Sequence, residues 1–327
     1  MNYGKLNEDI YERSVVKVIN AYLHANRNFN NGAETGDFCA VFPCAQASAG
    51  GKNAVLRAYE AALNSIAAKG VFLGEGQQAY ADISLFIPKK LREIKVREML
   101  AEMAVRADEL RTLPGNVNVQ VLPWVGMETA NCVIHMESQA PVKMNGAKPG
   151  DDIVMTKWIG LEGTALIARS SFDKLKARYP ADIVDEAAGF LKYLSVIPEA
   201  ATAVESGASD MQAVREGGIF GGLWELAAKN GVGLVADLCS IPVRQEAIEV
   251  CEYFDLNPYE LMAGGSLLIT CPNGGALVRA LADCKIAAAV IGKITDGNDR
   301  IIRHEDENRF LEPVRGDEIY KYYEKIF

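Results

Sequence analysis

Four glycines fall within six residues in the stretch Arg215-Glu216-Gly217-Gly218-Ile219-Phe220-Gly221-Gly222-Leu223-Trp224-Glu225. A helical pattern follows from Leu223 to Lys229 and stops at Asn230-Gly231. Glycine loses more conformational freedom on folding than any other residue. Such a cluster marks a sharp turn, or a place where a ligand or a neighbouring strand comes close. A second stretch, PGDDIVMTKWIGLEGTALI at 149–167, has the same character. It reads as a strand over 153–156, a turn bearing Gly160 and Gly163, and a helix from about Thr164. Free backbone N–H groups and the positive end of the helix dipole make such a turn a natural anion site. Lys157 adds a cation at the strand end, and Thr164 offers a hydroxyl to cap the helix or bind a phosphate oxygen. Two readings stand side by side: a phosphate cradle, or a tight turn that simply needs glycine.

The rest of the chain alternates between strand and helix patterns. Apolar residues at helical spacing run through 8–24, 52–69 and 90–111. Strand-like segments fall at 38–42, 81–87, 117–121 and 129–136. Beyond the polar, turn-rich 141–150, strands at 153–156, 234–236, 267–270 and 287–294 alternate with helices at 182–194, 223–229, 244–254 and 274–284. The charged tail, 305–327, is assigned no element. With 327 residues and roughly 150 per domain, about two domains are expected. The fold class is α+β, with domains at 1–147 and 148–327. The glycine pairs 50–51 and 274–275 read as loop punctuation.

Composition excludes several functions. A net charge of -9 argues against a nucleic-acid binder. No apolar run approaches the length of a membrane span. The N-terminus is polar and acidic, unlike a secretory signal, so a cytoplasmic protein is expected. Seven cysteines, an odd number without C-x-x-C spacing, read as small buried hydrophobes rather than disulfides or a zinc site. Of the three histidines, His24 reads as helical and His304 as a solvated loop. His135 would share a strand face with Glu137, the one arrangement suited to metal or acid–base work.

The two glycine stretches, with IPVRQEAIEVCEYFDLNPYELMAGGSLLI after them, resemble the C-terminal domain of the AIR synthase-related superfamily, in particular its hydrogenase-maturation HypE-like members. The resemblance covers about 148–295 most strongly and 1–147 less so. It implies a PurM-like fold: a β-rich N-terminal domain that forms homodimers, and a C-terminal α/β sandwich domain. It also implies ATP bound between the domains and across the dimer interface, with magnesium on aspartates. Carried over residue by residue, the nucleotide or phosphate site would use Gly36, Asp37, Asn64, Lys157, Gly160, Glu162, Gly163, Thr164, Glu216, Gly217 and Gly218.

The metal corner departs from the family pattern. Where a second acid should follow Asp37 stands Phe38, which has no oxygen for magnesium. The next expected aspartate falls in the neutral Cys44-Ala45-Gln46-Ala47-Ser48. The family's Asn-Asp becomes Asn64-Ser65, and its His-Asp-x-Thr becomes Gln212-Ala213-Val214-Arg215. The chain ends in Phe327, without the terminal cysteine of the carbamoyl-dehydrating members. The expectation is a homodimer with an altered ATP site, a small phosphorylated ligand and no resident metal. An active ATP-dependent enzyme and a partner subunit of a larger complex are the alternatives.

Overall fold

A computed structural model describes residues 44–73, 77–136, 144–305 and 307–326, which divide into two compact units. The first holds β1 (Cys44–Gly50), α1 (Ala54–Ala67), β2 (Ala79–Ile87), α2 (Glu93–Glu109), β3 (Thr112–Val121) and β4 (Thr129–Met136). Its sheet runs β1-β4-β2-β3, antiparallel except for the β2/β3 pair. Strand alternation decides its inner face. Ala79, Ala81, Ile83, Leu85 and Ile87 are buried along β2, as are Ala130, Cys132 and Ile134 along β4. Helix α1 covers that face with Val55, Tyr59, Leu63 and Ile66, and the small Ala54, Ala58 and Ala62 let it approach closely. The Tyr59 hydroxyl donates to Thr112 Oγ1 at 2.8 Å, tying α1 to the start of β3. Arg106 of α2 pairs with Glu60 of α1 at 2.5 Å.

The second unit is a seven-stranded sheet of order β11-β10-β7-β9-β5-β8-β6, antiparallel except between β7 and β10. Its strands are β5 (Asp152–Thr156), β6 (Asp210–Ala213), β7 (Gly233–Asp237), β8 (Leu267–Cys271), β9 (Ala288–Thr295), β10 (Arg300–His304) and β11 (Glu307–Phe310). β5 and β8 read as unbroken apolar runs because both their faces are covered. Helix α7 (Gly218–Asn230) lays Ile219, Leu223 and Leu226 against Ile153, Met155 and Leu268. Helices α6 (Ile197–Glu205) and α9 (Gly274–Asp283) pack on the same sheet at β8 and β9. A further layer joins α3 (Leu161–Ser170), α4 (Phe172–Lys176), α5 (Ala181–Gly189), α8 (Gln245–Phe254) and α10 (Glu318–Ile326) through Leu166, Val184, Val250, Phe254, Ile319 and Tyr322.

The mixed α+β class and the division into two units hold. Several local expectations change. The strand expected at 38–42, with His24 and the 8–24 helix, lies outside the described residues. The strand at 117–121 extends to ten residues, Thr112–Val121. Helix 182–194 ends early and tightens into a 3₁₀ turn at Phe190–Tyr193. The tail carries the β11 strand and α10. His304 ends β10 rather than sitting in a loop. Cys132, Cys251 and Cys271 are buried, whereas Cys239 and Cys284 are exposed. The pair 274–275 is not mere punctuation: Gly274 N–H donates to Asp152 Oδ2 at 2.9 Å, and a Cβ there would lie 2.8 Å from the Asp152 side chain.

Gly264-Gly265 is the most demanding glycine pair. Gly265 has φ +101°, and a Cβ on it would come within 2.4 Å of the Tyr193 carbonyl oxygen. Neither strain can relax without moving backbone. Gly265→Ala is expected to cost about 3 kcal/mol or more, read as a lowered thermal midpoint; an unchanged midpoint would contradict this packing.

Candidate functional site

The β5–α3 turn is built around Lys157. Its backbone is left-handed, φ +56°, which turns the chain sharply after β5. The side chain goes inward. Its ammonium donates to the carbonyls of Ser195 at 2.7 Å and Gly265 at 2.8 Å, and pairs with Glu199 Oε1 at 2.5 Å. An ammonium has three protons, and three protein acceptors meet them. Both side chains are almost wholly buried. This corrects the reading of Lys157 as a cation offered to phosphate: it is a clamp between α6 and the 258–265 segment.

The rest of that turn is likewise engaged. Gly160 begins α3 at φ +62°. Gly163 N–H donates to the Met262 carbonyl at 2.9 Å, and a Cβ on Gly163 would sit 2.5 Å from the Leu261 side chain. Glu162 is buried with its carboxylate against Gly264. Thr164 neither caps α3 nor faces solvent; its hydroxyl is fully enclosed and finds no hydrogen-bond partner among the described residues.

The α7 turn is closed by a different group. Gly217 and Gly218 are both left-handed, at φ +80° and +60°. Gly218 passes so close to the next segment that a Cβ would meet the carbonyl oxygens of Tyr259 at 2.5 Å and Leu261 at 2.7 Å. Gly217 N–H donates to Asp317 Oδ2 at 2.7 Å, and the other Asp317 oxygen accepts from Ile319 N–H at 2.8 Å. One carboxyl group therefore caps two helices, α7 and its own α10. Burial pushes its pKa up to about 7, with the Glu216 carboxylate adding to the rise and the backbone N–H groups of Ile319, Gly217 and Met262 opposing it.

Both turns thus close on residues 258–265. Phe220 N–H donates to the Tyr259 carbonyl at 3.2 Å and Ala263 N–H to the Arg215 carbonyl at 3.2 Å. The rings of Phe220 and Tyr259 stack at 5.3 Å and 15°. They line a groove of about 1030 Å³ whose far wall is the tail segment, including Arg309, Phe310, Leu311, Asp317 and Lys321. Glu260 of the 258–265 segment, also lining the groove, has its carboxyl pKa raised by burial and by Glu318.

The remaining expected site residues are scattered or outside view. Gly36, Asp37 and Phe38 lie outside the described residues. Asn64 is buried on α1 of the first unit. Ser65, where the family has an acid, returns its hydroxyl to the Ala61 carbonyl of its own helix at 2.9 Å. The neutral stretch 44–48 is strand β1, where Gln46 and Ser48 donate to Asn131 at 2.8 and 3.0 Å. Gln212 donates to Glu225 at 3.0 Å. His135 lies 3.5 Å from Asp82, both half exposed, and Glu137 lies outside the described residues. Among the described residues no three His, Cys, Asp or Glu side chains are placed to share a metal. Glu199 and Asp317 were not anticipated. The signal for Asp317 was present: an aspartate directly before an apolar helical pattern is a capping position.

Residues 148–305 match the family described as AIR synthase related protein, C-terminal domain. The same chain shares 26% identity over 180 residues with the carbamoyl dehydratase HypE of Rhizobium leguminosarum bv. viciae. Residues 148–305 therefore form an AIR synthase-related C-terminal domain. That alignment covers 53% of this chain and 46% of the relative, so the chain spans about half the length of the curated relatives it matches. Among solved structures, the hydrogenase maturation protein HypE in complex with ATP aligns over 95% of this chain and 96% of its own, with a TM-score of 0.67 and 15% identity. The HypE-HypF complex gives 0.67 and 18%, over 94% and 99%. At such identities the likeness is one of fold.

The clamp is testable without any ligand. Glu199→Gln leaves a buried ammonium without its counter-charge and is expected to destabilise the protein by about 3–5 kcal/mol. Lys157→Met combined with Glu199→Leu should recover most of that loss in chemical denaturation. Equal losses in the single and double variants would contradict the pairing.

Proposed function

We propose that this AIR synthase-related protein is a homodimer with an altered ligand site, and that it does not perform magnesium-dependent ATP phosphoryl transfer. One observation carries the reading: groups of the C-terminal domain that a phosphate would use are bonded within the fold. Lys157 faces Glu199, Gly163 N–H faces the Met262 carbonyl, and Gly217 N–H faces Asp317. The substitutions at the metal corner support it independently. Phe38 has no ligand oxygen, β1 presents amide and hydroxyl groups instead of carboxylates, and the Ser65 hydroxyl is held by its own helix. Magnesium holds and neutralises the β/γ-phosphate oxygens in such transfers, and this residue set does not fit it. A small phosphorylated ligand remains within the proposal.

An ATP-dependent enzyme is the second reading, favoured by the fold match to a HypE solved with ATP. A partner-subunit role is favoured by the match to the HypE-HypF complex. Calorimetry with ATP, with and without magnesium, separates the first two. The proposal expects magnesium to leave nucleotide affinity unchanged and no phosphate release; magnesium-dependent micromolar binding with turnover would overturn it.

The homodimer rests on β3. Among the described residues this strand, TLPGNVNVQV, is a sheet edge; it carries no charge, and Leu113, Val117, Val119 and Val121 are exposed along it. Edge strands left uncovered are normally guarded by charges. An uncharged strand of this length suits pairing with a second copy. Val119→Lys is expected to turn a dimer into a 35.5 kDa monomer in sedimentation, and a wild-type monomer would contradict the assignment.

A further inference from the structure

We propose that residues 311–326 form a proton-linked latch on the groove floored by Phe220 and Tyr259, with the Asp317 carboxyl as its bolt. Three features of the packing support it. The segment between β11 and α10 is irregular and forms one wall of the groove. Asp317 is the group that fastens it, since its two oxygens cap α7 and α10 together. Asp317 is 4% exposed and faces a largely acidic surround. Glu216, just before α7, and Cys251 of α8 interact with Asp317 itself, while Glu260 of the 258–265 segment and Lys321 of α10 act on its chain neighbour Glu318. Of these, Lys321 carries the positive charge, and it pairs with Glu318 at 2.5 Å.

The rest of the latch is a docked helix, held by Ile319 and Tyr322 in the second unit's core, by Tyr322 with Ser171 at 2.8 Å, by Lys325 donating to the Phe254 carbonyl, and by Glu318 accepting from Asn257 N–H at 3.1 Å. The pH response is assigned to Asp317, the carboxyl that joins the two helix starts. The sign follows from linkage. In the latched state Asp317 keeps its proton up to about pH 7. Released into water it would lose that proton near the ordinary carboxylate value, about 4. Between these values opening releases one proton, so raising the pH favours opening. Above about 7 both states are ionised and the dependence levels off. Each opening exposes the wall of the groove and frees Gly217 N–H.

Hydrogen exchange of the amides at 317–326, corrected for the intrinsic pH dependence, reads the opening directly in the full chain. The expected result is an opening equilibrium that rises by about tenfold per pH unit between about pH 5 and 6.5 and flattens above about pH 7. Asp317→Asn keeps the shape and removes the proton, and its exchange should be independent of pH over that range. Glu216→Gln removes a like charge beside the bolt and should move the plateau to lower pH; this variant decides the matter if Asp317→Asn does not fold. Glu260→Gln controls for the second raised acid and should retain the response. A flat wild-type profile, or an unchanged slope in Asp317→Asn, would overturn the latch, as would a slope lost only in Glu260→Gln.

Discussion

The second unit is organised around one close contact: residues 258–265 wedged between two helix starts. Gly163 and Gly218 allow this approach, because a side chain on either would collide with Leu261 or with the Tyr259 and Leu261 carbonyls. The wedge in turn supplies acceptors for Gly163, Phe220 and Lys157. Glycine clusters of this kind are compatible with ligand binding and with backbone packing. Here a Cβ on Gly218 would lie 2.5–2.9 Å from backbone atoms of residues 259–261, which assigns the cluster to packing.

The chemistry that makes a helix start attractive to phosphate also makes it attractive to an internal carboxylate. Asp317 uses that attraction at α7, and Glu199 plays the corresponding part for the Lys157 ammonium. An internal acid needs no metal to neutralise it, but it is costly when buried among other acids. That cost is why the Asp317 proton is held so far above the usual carboxylate range. In the proposed latch, one residue both joins α7 to α10 and makes that joint pH-sensitive.

Much of the fold was legible in the sequence. Amphipathic spacing located α1, α2, α8 and α9, and period-two alternation located β2 and β4. What escaped were elements whose local patterns are weak. β6 is four residues long, β1 is Ala-rich, and α10 alternates charged and aromatic residues and buries only one stripe through Ile319 and Tyr322. The first turn was located as a strand-to-helix junction and the second as a glycine run leading into a helix, but the chemistry of neither was legible. Whether Lys157 points outward to a ligand or inward to Glu199 depends on a partner 42 residues away, read as 199 minus 157 in the sequence. Asp317 acts across 100 residues of sequence on Gly217. Such long-range pairs leave no trace in spacing.

The most direct test is a crystal structure of the protein grown near pH 6 and soaked with a non-hydrolysable ATP analogue and magnesium. The account requires Lys157 to remain on Glu199 and Asp317 on Gly217, with no phosphate oxygen bonded at residues 160–164 or 216–218. Analogue phosphates seated on the Gly217 N–H, with Asp317 displaced and magnesium bound to carboxylates, would contradict it.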